Sequence, residues 1–225
     1  MGKLILIRHG QSEWNKKNFF TGWIDIPLSM EGIQEAFEGG REIQDIPIDI
    51  IFTSTLVRAI MTAMLVMNVH NSGKVPVMLH PGEGKLEKWG KCYNPEAEKG
   101  LVPVYRAWEL NERMYGELQG MDKQEMREKY GNEQVKLWRR GYDVCPPNGE
   151  SLKKTSARTL PYFQKEIMPH MDQGKNVLIA AHGNSLRSIV KELDQLTDEQ
   201  VVSLEIPTGD PLIYDFQDGK FTKAV

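Results

Sequence analysis

The chain has 225 residues, of which 40% are hydrophobic and 26% are charged. This composition is typical of one or two globular domains and excludes a disordered or fibrous chain. The 28 basic and 31 acidic residues leave a net charge of −3, which argues against nucleic-acid binding through bulk positive charge but not against a local basic pocket.

Short apolar runs alternate with stretches of helical periodicity. In chain order, the patterns predict a strand at 4–7, a helix at 29–44, a strand at 48–52, a helix at 56–67, a strand at 76–79, helices at 132–140 and 151–168, a strand at 176–181, helices at 186–193 and 198–204, and a strand at 212–216. We expect Ser29 to cap the first helix. Pro161 should kink the helix at 151–168 or divide it into two segments.

Strands that alternate with helices predict an α/β fold, with a mostly parallel sheet covered by helices on both faces. The polar stretch at about 81–103 is rich in Gly, Lys and Glu and is predicted to be an excursion from the core. We find no composition typical of a linker, so the sequence favours a single domain over residues 1–225.

The sequence also predicts a cytoplasmic protein without a membrane partner. No apolar stretch approaches the roughly 20 residues of a membrane span, and the run at 4–7 is too short for a signal peptide. Cys92 and Cys145 lie far apart and belong to no metal-binding or redox motif. We expect two reduced thiols.

Two histidines directly follow predicted strands. His9 lies in Arg8-His9-Gly10 after the first strand, and His182 begins His182-Gly183-Asn184 after the strand at 176–181. Because ligands of open α/β sheets bind beyond the carboxyl ends of strands, both segments should face one crevice. We expect the glycines to let backbone amides approach an anion.

Arginines near these segments favour an anionic ligand. Arg58 falls in the first turn of a predicted helix, and Arg139 and Arg140 end another. Taken alone, the Arg139-Arg140 pair would be explained by the helix dipole. Combined with two histidines at strand ends, the arginines predict an anion site, since guanidinium binds phosphate or carboxylate in a bidentate manner.

Other common motifs are absent from the sequence. Gly82-Glu83-Gly84-Lys85 is followed by Leu86 and lacks the Ser or Thr of a P-loop. No HExxH, GxSxG or GxGxxG pattern occurs. The histidines lack the neighbouring ligands of a metal site, so metal-free phosphoryl transfer is the predicted chemistry.

Seven segments spread over the chain resemble the cofactor-dependent phosphoglycerate mutases of the histidine phosphatase superfamily. They are RHGQSEWN at 8–15, FTGW at 20–23, TSTLVRA at 53–59, LNERMYGELQG at 110–120, EQVKLWRRG at 133–141, AAHGNSLR at 180–187 and IPTGDPL at 206–212. The RHG motif alone indicates only phosphohistidine chemistry, whereas LNERMYG and WRRG are more specific to the mutases. The resemblance implies their three-layer α/β/α sandwich.

The resemblance also implies roles for individual residues. His9 would be the nucleophile that becomes phosphohistidine, Glu112 the acid and base for the substrate hydroxyl, and His182 the group that stabilises charge on the transferred phosphoryl. The residues that would bind phosphate and carboxylate groups are Arg8, Gly10, Ser12, Asn15, Thr21, Gly22, Arg58, Arg113, Tyr115, Lys123, Arg139, Arg140, Gly183 and Asn184.

The implied reaction is the glycolytic and gluconeogenic interconversion of 3-phosphoglycerate and 2-phosphoglycerate. Its cofactor would be 2,3-bisphosphoglycerate, as primer and intermediate, without a metal. The implied partners are small phosphorylated carboxylic acids and a second copy of the chain, as a homodimer or a tetramer. Neighbouring cations should keep the His9 imidazole unprotonated near neutral pH, as a nucleophile must be.

Two alternatives remain open at this point. One is a phosphatase of the same superfamily that hydrolyses phosphohistidine with water, and the other is a non-catalytic sensor of phosphate esters. The chain also lacks the long tail that closes the site in some relatives, so we expect increased phosphatase leakage. The sequence leaves open whether the excursion at 81–103 acts as a lid.

Overall fold

The structure, a computed structural model, describes residues 1–224. Within that range a seven-stranded sheet contains β1 (Gly2–Arg8), β2 (Ile50–Thr53), β3 (Val75–Met78), β4 (Leu101–Arg106), β5 (Val177–Ala181), β6 (Pro211–Gln217) and β7 (Lys220–Lys223). The spatial order is β3-β4-β2-β5-β1-β6-β7. The first five strands pair in parallel, and β6 and β7 add an antiparallel edge. The prediction of a mostly parallel sheet is confirmed. Val225, the last residue of the predicted domain, lies outside the described residues.

Helices connect these strands. They are α1 (Glu13–Lys16), α2 (Met30–Glu42), α3 (Val57–Asn68), α4 (Lys85–Trp89), α5 (Pro95–Glu98), α6 (Lys123–Tyr130), α7 (Asn132–Arg140), α8 (Leu152–Tyr162), α9 (Met168–Asp172), α10 (Gly183–Leu193) and α11 (Asp198–Ser203). Short 3₁₀ turns lie at Trp108–Leu110 and Gly116–Leu118. Among residues 1–224, every helix falls short of the length and apolar character needed to cross a membrane.

Both predictions about helix ends are confirmed. The Ser29 hydroxyl accepts a hydrogen bond from the Gly32 amide and caps α2. Pro161 lies in the last turn of α8, and a π-helical turn at Phe163–Ile167 separates α8 from α9. Since proline has no amide hydrogen to donate within a helix, the regular ladder is interrupted there.

The structure contains elements that the sequence pattern did not predict. Strand β4 begins at Leu101, inside the predicted excursion at 81–103. It was not predicted because the proline in LVPVYR obscures an otherwise clear strand pattern. Helix α6 has a single buried residue, Met126, and therefore no apolar stripe. Strand β7, at the edge of the sheet, is exposed except for the half-buried Phe221 and therefore has no apolar pattern.

Alternate residues of the central strands face opposite layers. Leu4 and Leu6 pack with α10 and the π-helical turn, whereas Ile5 and Ile7 pack with α3 and the end of α2. The sheet therefore lies between two helical layers, which confirms the three-layer α/β/α sandwich. Each apolar layer excludes water from one face of the sheet.

This topology creates a crevice where β1 and β5 end. The two strands are parallel neighbours, with Arg8 opposite Ala181. Helix α2, on the segment between β1 and β2, lies on one face of the sheet, and α10, which follows β5, lies on the other. The chain thus leaves adjacent strands in opposite directions, the arrangement in which α/β proteins bind ligands.

Candidate active site

His9 directly follows β1 and is held in one tautomer. Its amide donates to the Ala181 carbonyl at 2.9 Å, and the ring is buried. The Nδ1 atom lies 2.6 Å from the Gly10 carbonyl, which can only accept, so Nδ1 carries the proton. The lone pair is therefore on Nε2, which accepts a hydrogen bond from Arg58 Nε at 3.3 Å. Burial and the charges of Arg58 and Arg8 lower the pKa of His9 well below 6.5.

His182 directly follows β5 and packs against His9, with ring centroids 4.8 Å apart. Its Nε2 lies 2.7 Å from Ser54 Oγ, which also accepts the Leu56 amide. The Ser54 hydroxyl and His182 Nε2 are hydrogen-bonded, and the tautomer of His182 decides which of them donates. The pKa of His182 is lowered well below 6.5 by burial, then by the Arg58 charge. His182 Nδ1 has no hydrogen-bond partner among residues 1–224.

Glu112 presents one free carboxylate oxygen to the pocket. Its Oε1 accepts hydrogen bonds from the Arg113 amide at 2.7 Å, from the Asn184 side chain at 2.8 Å and from the Asn184 amide at 3.2 Å. A hypothetical Cβ on Gly183 would lie 3.8 Å from Oε2. These donors fix the carboxylate so that Oε2 is available for proton transfer.

Hydrogen bonds from side chains outside the pocket fix the backbone of Glu112. The Glu112 carbonyl accepts from Trp23 Nε1 at 2.6 Å and from the Arg158 guanidinium at 2.9 Å. Arg158 forms a salt bridge with Glu150 and stacks on Trp23. The acid/base candidate is thus positioned by residues that do not line the pocket.

The pocket in front of His9 is cationic and has a cavity volume of about 110 Å³. Its cations outnumber its two carboxylates, Glu112 and Glu205. The lining cations are Arg8, Arg58, Lys123, Arg139, Arg140 and Arg187. The other lining residues are His9, Asn15, Phe19, Phe20, Thr21, Gly22, Tyr115, Gly183 and Asn184.

Burial lowers the pKa values of several cations of the pocket, and neighbouring cations add to this effect. Burial, followed by the Arg139 and Arg127 charges, lowers the pKa of Lys123 to about 8. Burial lowers the pKa of Arg58 to about 10, and burial followed by the Arg140 charge lowers that of Arg187 to about 10. Like charges at this density favour an anionic ligand.

Several buried polar atoms have no hydrogen-bond partner within residues 1–224. They include Arg8 Nε and Thr21 Oγ1, both on residues that line the pocket, and His182 Nδ1 behind it. Since buried polar groups in proteins are nearly always paired, such atoms indicate that the site is completed by a polar ligand.

Four residues predicted for the site do not line this pocket. His182 lies behind His9. The Gly10 amide donates to Thr62 Oγ1, and a Cβ at Gly10 would lie 2.1 Å from the Gly32 carbonyl oxygen, so this glycine permits close packing of α2 instead of anion approach. Ser12 caps α1. Arg113 is buried and donates to the Trp138 and Gly141 carbonyls and to Asn184 Oδ1.

Several residues at the site were not predicted from the sequence. Arg187 lies three residues after Asn184 on α10, and this helical spacing could have placed both on the same face. Ser54 directly follows β2, the same signal that selected His9 and His182. We find no sequence signal that would have selected Glu205 or Arg158.

The excursion at 81–103 is separate from the pocket. Its residues Leu86, Gly90 and Cys92 line another cavity, beside β3. Within residues 1–224, no three His, Cys, Asp or Glu side chains are grouped closely enough to hold a metal ion.

Comparison with known proteins matches residues 4–83 and 93–225 to the Histidine phosphatase superfamily (branch 1). A 2,3-bisphosphoglycerate-dependent phosphoglycerate mutase of Protochlamydia amoebophila is 63% identical over 99% of both chains. The enzyme of that name from Chlamydia pneumoniae is 54% identical, over 99% of this chain and 97% of its own. The alpha-ribazole phosphatase from Shigella flexneri has a similar fold, with a TM-score of 0.74 and 21% identity over 99% of this chain and 95% of its own.

Proposed function

The chain belongs to the histidine phosphatase superfamily, and we propose that it interconverts 3-phosphoglycerate and 2-phosphoglycerate through a phosphohistidine primed by 2,3-bisphosphoglycerate. This reaction is an isomerisation that serves glycolysis and gluconeogenesis. The identity of 54–63% to mutases over nearly the whole chain supports this activity. The neutral His9 imidazole, whose Nε2 lone pair faces a cationic pocket, carries the proposal.

In the proposed transfer, His9 Nε2 forms the N–P bond with its lone pair while the P–O bond to the glycerate oxygen breaks. Arg58 Nε, which now donates to Nε2, would turn to a phosphoryl oxygen. His182, whose ring packs against His9, would stabilise the charge on the transferred phosphoryl group. Preorganised donors of this kind stabilise the charge that develops in phosphoryl transfer.

Glu112 is the proposed acid and base. It would protonate the glycerate oxygen that leaves phosphorus and, in the second half-reaction, take the proton from the hydroxyl that attacks phosphohistidine. Oε1 is occupied by three donors, so Oε2 would carry the proton. Positioned acid/base groups of this kind contribute about 10²- to 10⁴-fold in rate.

The pocket fits a bisphosphorylated acid. Six cations against two carboxylates suit a ligand whose phosphates each carry a charge of about −1.5 to −2. The unpaired Arg8 Nε and Thr21 Oγ1 are donors for its oxygens. When bound, 2,3-bisphosphoglycerate supplies the phosphoryl group that loads His9.

Two groups of cations suit the isomerisation. Arg58 and Arg8 lie near His9, since their charges lower its pKa. The outer group includes Lys123 and Arg139, and Arg8 also acts on Lys123. An anionic group at each end could therefore be held in either orientation, so that phosphohistidine meets either hydroxyl of the glycerate.

A single experiment tests the proposal. Purified protein is given 3-phosphoglycerate and a trace of 2,3-bisphosphoglycerate, and ³¹P NMR follows both isomers and free phosphate. We expect 2-phosphoglycerate to form faster than inorganic phosphate. Dominant phosphate release would establish the phosphatase alternative, and absence of acid-labile phosphate on the protein would favour the non-catalytic sensor.

We further propose that the protein is a cytoplasmic homodimer, with a tetramer as the alternative, and that residues 1–225 form one domain. The shared sheet supports one domain. For the dimer, β3 lies at an edge of the sheet, and Val75 on this strand is exposed together with Trp89 and Tyr93 of the neighbouring excursion. Light scattering after size exclusion measures the oligomeric state.

A further inference from the structure

Three of the six cations of the pocket donate to backbone carbonyls. Arg58 donates to the Gly22 and Ile24 carbonyls, Arg8 to the Ile206 carbonyl and Arg187 to the Leu204 carbonyl. A carbonyl orients a guanidinium without cancelling its charge. Arg8 and Arg58, which form no salt bridge within residues 1–224, therefore keep their positive charge for a ligand.

Arg140 and Arg187 differ from these cations, because both lie beside the Glu205 carboxylate. Its Oε1 lies 2.6 Å from an Arg140 nitrogen, and its Oε2 lies 3.6 Å from an Arg187 nitrogen. Glu205 thus places a negative charge between two cations that line the pocket, and it lines the pocket itself. It also lines an adjoining basic cleft that contains Arg127 and Lys136.

The backbone around Glu205 is anchored while its side chain is free to move. The carbonyls on either side, those of Leu204 and Ile206, accept hydrogen bonds from Arg187 and Arg8. The Glu205 side chain itself is 65% exposed. Because salt bridges at this exposure are weak, the carboxylate can leave the arginines without a change of the backbone.

We propose that Glu205 is a specificity-determining residue that occupies the Arg140 and Arg187 subsite in the free protein and competes with an anionic group of the ligand. The inference rests on the proposed function for the identity of that ligand, a phosphoglycerate. Glu205 weakens the Arg140 and Arg187 subsite, so a bisphosphorylated intermediate is held there loosely enough to turn round. The negative charge also disfavours permanent occupation by other small anions.

The expected magnitude follows from the charges. Two unit charges 4 Å apart in water interact with about 1 kcal/mol, and a phosphate carries nearly two charges, while salt screens part of this energy. Removing the Glu205 charge should therefore tighten ligand binding by about tenfold, which corresponds to about 1.4 kcal/mol. A merely structural carboxylate would have the opposite effect, because its loss would free Arg140 to move and weaken binding.

The test is the Glu205→Gln variant with 3-phosphoglycerate as the calorimetric probe, at low and at high NaCl. We expect the dissociation constant to fall about tenfold at low salt and the gain to shrink at high salt. The control, Glu38→Gln, removes the same charge from an exposed position on α2 that does not line the pocket. It should leave the dissociation constant unchanged.

In Glu205→Gln, the new side chain could still hydrogen-bond Arg140. A second variant, Glu205→Ala, removes this contact and should also tighten the binding of 3-phosphoglycerate. Unchanged or weaker binding in both variants would overturn the inference. The same titration with inorganic sulfate does not depend on the reaction. Tighter sulfate binding would support the role of Glu205 even if the turnover assay failed.

Discussion

Arg158 connects the stability of the fold to the position of the acid/base candidate. Its guanidinium makes six hydrogen bonds, two with the Glu150 carboxylate and four with the carbonyls of residues 108, 109, 111 and 112. Both partners of the salt bridge are largely buried. Arg158→Lys keeps the charge but has only three donors and no planar fork.

The variant should therefore lose at least three hydrogen bonds. At about 1 kcal/mol net for each, the free energy of unfolding should fall by about 3 kcal/mol. For a chain of this length, that loss corresponds to a decrease in Tm of roughly 6–12 °C. Arg158→Ala should cost more, because it leaves the Glu150 carboxylate without its partner.

The effect on catalysis follows from the Glu112 carbonyl. Without the Arg158 bond, Trp23 is the one side chain within residues 1–224 that still donates to this carbonyl. Small displacements of a catalytic group can cost up to about 10²-fold in rate. We expect Arg158→Lys to lower kcat tenfold or more and to leave KM nearly unchanged, since Arg158 does not line the pocket.

Urea denaturation and steady-state kinetics measure both effects, and Lys154→Met, at an exposed position on the same helix, is the control. Loss of stability with an unchanged kcat would refute the positioning role. An unchanged Tm of Arg158→Lys would refute the expected contribution of the lost hydrogen bonds to stability.

Other expected outcomes concern the reaction itself. His9→Asn should abolish acid-labile phosphate on the protein and turnover while circular dichroism stays that of the wild type, and an active variant would exclude His9 as nucleophile. Glu112→Gln should lower kcat by about 10²-fold or more while calorimetry still detects 3-phosphoglycerate, and full activity would require another acid/base. Because burial and the charges of Arg58 and Arg8 lower the pKa of His9 well below 6.5, the rate of His9 phosphorylation should stay level between about pH 8 and pH 6. The free energy of unfolding should fall as pH drops below about 6.5, since there only the unfolded chain takes up the proton, and urea titrations at several pH values measure this. Excess chelator should leave the mutase rate unchanged, and inhibition reversed by added metal would contradict metal-free chemistry.

The sheet and most helices could be predicted because their burial is periodic along the chain. Strand β5 is apolar at every position, and α7 begins and ends at the predicted residues. Helix α6 could not be predicted in this way, because a helix with one buried side chain leaves no periodic signal. Its position depends on contacts of Phe20, Leu118 and Trp138 from distant parts of the chain.

The site could be predicted where a reactive side chain directly follows a predicted strand, as His9 and His182 do. Residues that act by holding others gave weaker signals. Arg113 was predicted to bind the ligand, but its guanidinium lies on the carbonyls of Trp138 and Gly141 and on Asn184. The sequence does not distinguish an arginine that orients a loop from one that binds a phosphate. The hydrogen-bond partners of the guanidinium in the structure do.

The choice of partners also explains how a chain with a net charge of −3 maintains a cationic pocket. Carboxylates beside every arginine would stabilise the free protein but would neutralise the field that the ligand needs. Carbonyls hold the guanidinium groups of Arg8 and Arg58, which form no salt bridge within residues 1–224, so their charges remain available to a ligand. The cost appears as lowered pKa values, about 10 for Arg58 and about 8 for Lys123, with burial as the largest cause. A bound anion relieves the repulsion among these cations, so ligand binding should stabilise the folded protein more than its contacts alone would suggest.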